Sequence, residues 1–488
     1  MPCTTILVGK KASNDGATII ARNDDSPSGR FASKSLQIMN PAKQPRLYRS
    51  RLSRVEVELP ADPLRYTYLP STDNRDGIWG AAGINEANVG MTATETITTN
   101  ERVLAADPLV KFVKARGGSP SRPGGIGEED LLVLVLPYIR SAKEGVIRLG
   151  QLLERYGTYE NNGIAFNDGD EIWWLETIGG HHWIARRVPD ECYVIMPNQF
   201  GLDNFDFADA YGEKKEHMCS ADLQQFVADN HLDLGQGGVF NPRLAFGSHS
   251  DADHVYNTPR AWFIGRYFNP RSHKWDGPQA EYTPLSDDIP WSLIPERKIT
   301  VEDVKYALSS HYQGTPYDPY ASHGDPSMKG AYRPIGISRT DDLAVLSIRG
   351  DLPKELSAVE WFTFGSNAFN ALVPFFTQGH KVPEYYAKAS EAVSTDDFYW
   401  ANRLIGTLAD AHFNATSIHI ERYREQLQAE GRRALLSAKS AAMKAQLNLD
   451  DINLAMAKTA KRLTDEALAN ILYTASCLMK NGYNRSDN

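Results

Sequence analysis

Four cysteines occur in the 488 residues, at positions 3, 192, 219 and 477, and the first stands at the very start of the chain in "MPCTT". Its position gives Cys3 a chemistry the other three lack. If Met1 and Pro2 are removed, Cys3 carries a free α-amine, whose pKa of about 7.7–8.0 suits a base working near neutral pH. Nucleophile and base then reside in one residue: the amine takes the thiol proton, the thiolate attacks a carbonyl, and water completes hydrolysis with the same amine as base. The bland alternative is a small apolar side chain that opens a strand, the commoner fate of a free cysteine. The segment "ARNDDS" shifts the balance, because it puts Arg22, Asn23, Asp24 and Asp25 where a hairpin returns its end to Cys3. A cation there lowers a thiol pKa and a carboxylate can hold an amine. A charged hairpin end facing water is the competing reading.

The elements that must position these groups are legible from apolar spacing. "TTILV" and "ATIIA" are β-branched runs joined by a loop whose Asn-Asp-Gly tip is a hairpin signal. Residues 26–76 are rich in Pro, Arg and Ser, with one strand expected at "VEVELP". "GIWGAAGINEANVGMTATET" reads as two strands around a Gly-Ile-Asn-Glu turn. The stretch "GEEDLLVLVLPYIRSAKEGVIRLGQLLERYG" has a helical period broken near Pro137, which predicts two helices. A meander of three or four strands is expected over residues 163–200, then helices at "SADLQQFVADN" and "TPRAWFIGRYF", and strands in "GISRTDDLAVLSIRG" and "AVEWFTFGS". Beyond about residue 384 the composition turns to Ala, Lys, Glu and Leu with few turn signals, which predicts a helical C-terminal region, 384–488, packed on the core or used between subunits.

Composition narrows the function classes. With 42% hydrophobic and 23% charged residues the chain is of ordinary globular type, and a net charge of −9 gives no reason to expect nucleic-acid binding. No apolar run approaches the roughly 20 residues that cross a bilayer, and no secretory signal pattern is present, so no membrane partner and a cytoplasmic location are expected. The widely spaced cysteines suggest neither a disulfide framework nor a zinc site. His181 and His182 in "GGHH" are read as strand-end residues on opposite faces, not metal ligands, and no cofactor motif is found. The adjacent carboxylates Asp24 and Asp25 cannot flank a glycosidic bond. The sequons at Asn414 and Asn484 carry little weight without a secretory signal.

"CTTILVGKKASNDGATIIARNDD" resembles the start of the N-terminal-nucleophile (Ntn) hydrolases of peptidase family C69, the bacterial dipeptidase A type, and more distantly the bile-salt hydrolase and penicillin V acylase group. The blocks "GINEANVGMTATET", "VYNTPRAWFIGRYFNP" and "VEWFTFGSNAFNALVPFF" extend the likeness over most of the chain in the same order. The resemblance implies an α+β fold, an αββα four-layer sandwich, over residues 3–383. It implies Cys3 as nucleophile and base, Arg22 beside the thiol, Asp25 on the α-amine, Asn198 in "IMPNQF" as an oxyanion donor, and Arg260 in "YNTPRAWF" as the later arginine of the site. An amide donor and a fixed guanidinium suit those tasks, although singly each also fits a loop cap or a surface arginine.

Two departures stand out. "GMTATET" lacks the second asparagine of the bile-salt hydrolase pattern and sets Thr92 near that position, and the leader is only Met1-Pro2, which Cys3 is expected to remove autocatalytically. The expected function is a metal-independent cysteine dipeptidase acting on dipeptides through a thioester, with Asp24, Thr92 or Arg260 as substrate contacts. Two alternatives stay open: an Ntn amidase on non-peptide amides, and a non-catalytic protein that keeps the fold. Length and the helical tail are compatible with a homo-oligomer.

Overall fold

The computed structural model describes residues 3–480, apart from His249 and the side chain of Thr94. Its strands are β1 (Thr4–Val8), β2 (Thr18–Asp25), β3 (Gln37–Met39), β4 (Leu47–Arg49), β5 (Glu56–Glu58), β6 (Tyr66–Tyr68), β7 (Ala82–Ile84) and β8 (Gly90–Thr96). They continue as β9 (Asn162–Asn167), β10 (Ile172–Ile178), β11 (His182–Arg187), β12 (Tyr193–Met196), β13 (His217–Cys219), β14 (Ser292–Leu293), β15 (Thr340–Ile348), β16 (Ala358–Phe364) and β17 (Val373–Phe376). Two large antiparallel sheets result, with strand orders β14-β12-β1-β2-β15-β16-β17 and β13-β11-β10-β9-β8-β7. The fold is therefore α+β.

Period-2 alternation explains how the sheets stack. Leu7 and Ile20 on β1 and β2 join Trp174 and Leu346 in a core between the sheets. Their neighbours Ile6, Val8, Ile19 and Ala21 face the other way, onto helices Thr258–Phe268 and Val301–Leu308. On the second sheet Trp173 and Leu175 face helix Ala142–Tyr156, while Trp174 faces inward. Sheet thus lies on sheet, and helices cover both outer faces. The two helices expected after "GEED" are Glu128–Val135 and Ala142–Tyr156, and the turn at Pro137 separates them.

The hairpin tip is as expected: Gly16 takes φ +83°, which a side chain would strain. Beyond residue 384 the chain is mainly helical, and the long helices Phe413–Met443 and Leu449–Cys477 pack against one another and against β17. None of the described helices is long and apolar enough to cross a membrane. The four cysteines are free thiols. Asn414 lies in the first of the long helices, whereas Asn484, Met1 and Pro2 fall outside the described residues.

One expectation is corrected. His181 and His182 do not diverge: both Nδ1 atoms meet the Asp107 carboxylate, at 3.0 and 2.7 Å. His181 belongs to the turn after Gly179 and not to β11, so strand alternation does not apply to it.

Candidate active site

The register of three strands assembles the site. Thr5 pairs with Arg22 on β2 and with Met196 on β12. Carried two residues toward the chain start, the same registers set Cys3 level with Asp24 on one side and Asn198 on the other. Because alternate residues share a face, Cys3, Thr5, Arg22 and Asp24 look into the space between the sheets, and Thr4, Asn23 and Asp25 look toward the helices.

Cys3 is fully buried. Arg22 Nη1 donates to its Sγ at 3.0 Å and lies 3.3 Å from Asp24 Oδ1 and 3.8 Å from Glu128 Oε1. The guanidinium cannot swing away, because Nη2 donates to the carbonyls of Ala93 (2.8 Å) and Ala81 (3.1 Å) on the facing sheet. Asp24 is further held by Lys34 Nζ at 2.7 Å. Burial pushes the Cys3 thiol well above its ordinary pKa and Arg22 pulls it down. Burial opposes ionisation of Asp24 too, but Lys34 and Arg22 outweigh it and keep its carboxyl below the usual range.

Arg260 works from the other face. Its helix opens with Thr258 and Pro259, and its Nη1 donates to the Cys3 carbonyl and, at 2.6 Å, to the Thr4 hydroxyl. Nη2 donates to Asn198 Oδ1 (2.8 Å) and Asn257 Oδ1 (2.7 Å). Asn198 Nδ2 in turn donates to the Thr96 carbonyl at 2.8 Å, so the amide is held from both ends beside Cys3.

Five of the residues picked from sequence therefore converge: Cys3, Arg22, Asp24, Asn198 and Arg260. Asp25 is turned to the helix side, toward Thr340 and Arg333. Its carboxylate accepts from Thr340 at 2.6 Å and pairs with Arg333 at 2.5 Å, and no hydrogen bond among the described residues joins it to the cysteine. Thr92 is likewise engaged elsewhere, its hydroxyl accepting the Ala165 amide at 3.2 Å.

The residue that β8 delivers is Glu95. The pairing of β8 with β9 slips between Ala93 and Glu95, and this bulge turns Glu95 from the helix-facing side of Met91 and Ala93 to the inner face. There it accepts from the Thr5 hydroxyl at 2.7 Å, and burial raises its pKa to about 8. Glu128, Lys34, Asn257 and Arg333 also escape the sequence; in it "GEED" marks only the start of a helix, where its three acids suit the N-terminus.

Among the described residues, Cys3, Asp24 and Glu128 form the one group of three whose ligand atoms could meet on a metal, all lying within 4.8 Å of one another. Arg22 Nη1 reaches all three, so a fixed organic cation already stands among them. A cavity of about 620 Å³, lined by Asp24, Lys34, Arg75, Trp79 and Asp341, leads to this cluster from the surface.

A buried thiol thus opens the first strand, with one arginine against its sulfur and a second on its carbonyl, and comparison with known proteins decides the family. A family profile described as peptidase family C69 matches residues 2–426. The chain belongs to peptidase family C69. It is 51% identical over its full length to a protein of Bifidobacterium longum (strain NCC 2705) named dipeptidase, covering all of that protein. It is equally similar, 51% with both chains fully covered, to a probable dipeptidase A of Streptococcus pyogenes serotype M3. A dipeptidase A of Lactobacillus helveticus is 46% identical over 84% of this chain and 82% of its own.

Proposed function

We propose that this member of family C69 is a cysteine dipeptidase of the Ntn type, with residues 3–383 as the αββα catalytic unit and 384–488 as a helical extension that offers contacts to other subunits. The observation that carries the reading is the 3.0 Å approach of the immobilised Arg22 guanidinium to Cys3 Sγ, beside an asparagine and a second arginine at the same strand end. The names of the full-length relatives support dipeptides as the substrate class.

In this reading Met1-Pro2 is lost, by the action of Cys3 itself, and the new α-amine takes the thiol proton. Asp25 holds that amine from the outer face. The thiolate attacks the dipeptide carbonyl carbon, and Asn198 with backbone N–H groups stabilises the oxyanion. The C–N bond breaks as the α-ammonium returns its proton to the leaving amino acid, which departs and leaves a thioester on Cys3. Water then gives a proton to the amine and attacks the thioester; the acid leaves and the thiol re-forms. Arg22 supplies the positive field at the sulfur, so no step needs a metal. We assign the enzyme to the cytoplasm, a reducing compartment that keeps its free thiols reduced.

The test is intact-mass and N-terminal sequencing of purified protein, alongside a panel of dipeptides. The mature chain is expected to begin at Cys3 and to release free amino acids. Cys3→Ser is expected to lower kcat/KM by roughly 10³-fold or more and to keep Met1-Pro2. Wild-type protein that keeps its first two residues yet hydrolyses dipeptides would refute the mechanism.

A further inference from the structure

The space around the thiol holds more carboxyl groups than cations. Asp24, Glu95, Glu128, Asp341 and Asp342 are all buried there, against Arg22 and Lys34 on the same face. Asp24 is well matched, with Lys34 at 2.7 Å. Glu128 is matched less closely: its side chain is 3% exposed, its Oε1 makes no hydrogen bond, and its ion pair with Arg22 spans 3.8 Å. A buried carboxylate oxygen left without a hydrogen bond is costly, and the place of Glu128, 4.8 Å or less from both Cys3 Sγ and an Asp24 oxygen, says where a further cation would sit.

Covalent geometry says which cation. In an amino-acid residue the α-nitrogen is two bonds from the carbonyl carbon, about 2.5 Å away. Attack brings that carbon to about 3–3.5 Å from the sulfur. The α-ammonium of the residue being transferred therefore falls within about 6 Å of Sγ, the zone that Asp24 and Glu128 occupy. An N-acylated substrate brings no charge there and leaves Glu128 buried and poorly matched.

We propose that Glu128, together with Asp24, binds the free α-ammonium of the residue whose carbonyl Cys3 attacks, so that the site selects unblocked N-termini and rejects N-acyl amides. This inference rests on the dipeptidase reading and adds its specificity element: Arg22 and the strand end serve the sulfur, and Glu128 serves the substrate.

The experiment compares Ala-Ala with N-acetyl-Ala-Ala on processed enzyme. Wild type is expected to prefer the free dipeptide by about 10³-fold or more in kcat/KM. Glu128→Gln, first checked by intact mass, is expected to lose about 30-fold on Ala-Ala, mainly through KM, and to change little on the acetylated substrate, so the preference shrinks by that factor. If Glu128→Gln keeps Met1-Pro2, the same ratios are read on Glu128→Asp, which retains the charge but shortens its reach. An unchanged preference, or an equal loss on both substrates, overturns the proposal, the second outcome assigning Glu128 to the nucleophile. Wild type that cleaves neither substrate instead overturns the dipeptidase reading itself.

Discussion

At the scale of the residue, Arg22 decides what the thiol can do. Burial alone holds Cys3 protonated, and the nearest carboxylates, Asp24, Glu95 and Glu128, push the same way. Arg22 is the opposing charge, and its two bonds to the Ala81 and Ala93 carbonyls fix where that charge stands. A lysine keeps the charge but cannot make the same fork. Arg22→Lys is therefore expected to raise the thiol pKa of the mature enzyme by about one unit and to lower kcat/KM at neutral pH about tenfold. The pH dependence of iodoacetamide alkylation checks it; an unshifted profile would show that charge alone, without the fork, suffices. The residues legible in sequence were those beside the strand end by local register: Cys3, Arg22 and Asp24 in one hairpin, and Asn198 and Arg260 in recognisable blocks. Glu95, Glu128 and Lys34 come from segments whose spacing to Cys3 depends on sheet stacking, which no local pattern encodes.

At the scale of the element, the bulge in β8 carries the most consequence. The strand pair around Gly-Ile-Asn-Glu was readable from alternation, yet the reading stopped at Thr92. An extra residue that breaks a period of two leaves no compositional mark, and here it reverses the face on which Glu95 lies. The short strands β3 to β6, beyond the one seen in "VEVELP", escaped for a related reason: three-residue strands pairing across loops are too short to show alternation. The helices and the long inner strands, by contrast, have enough residues to declare their period. Inserting one residue between Gly163 and Ile164 of β9 gives Thr94 a backbone partner and is expected to restore regular alternation through β8, which swings Glu95 into the apolar layer of Met91 and Ala93. A carboxyl placed there without a partner costs about 2 kcal/mol or more, and Thr5 loses its acceptor. Thermal unfolding should show a clear fall in Tm together with loss of hydrolysis; an insertion variant as stable as wild type would mean that the added residue is accommodated outside the β8–β9 ladder.

At the scale of the whole molecule, the fold buries carboxyl groups throughout both sheets and not only beside the thiol. Burial raises Glu95 and Asp341 to about 8 and Glu176 and Glu360 to about 7. A raised folded-state pKa means that the native protein keeps a proton which the unfolded chain releases near the ordinary glutamate value of 4.5. The stability this gives is whole below that value and is lost as pH rises through the folded value, at about 1.4 kcal/mol per pH unit for each group in between. Asp107, lowered to about 2 by the bonds from His182 and His181, runs the opposite way: its contribution is present above the ordinary 3.8 and fades below it. Stability should therefore peak near pH 4 to 5 and decline toward pH 8, where in the mechanism we propose the α-amine of Cys3 becomes a competent base. The enzyme would then work on the falling side of its own stability curve. Differential scanning calorimetry across pH 4–9 tests the slope, and Glu360→Gln isolates one part of it. Glu360 is fully buried on β16, where its carboxyl accepts from Thr67 at 2.7 Å and takes no part in the site. Its glutamine variant should keep that acceptor and flatten the decline between pH 5 and 7 by about one group's share. A decline as steep as in wild type would trace the pH dependence to other groups.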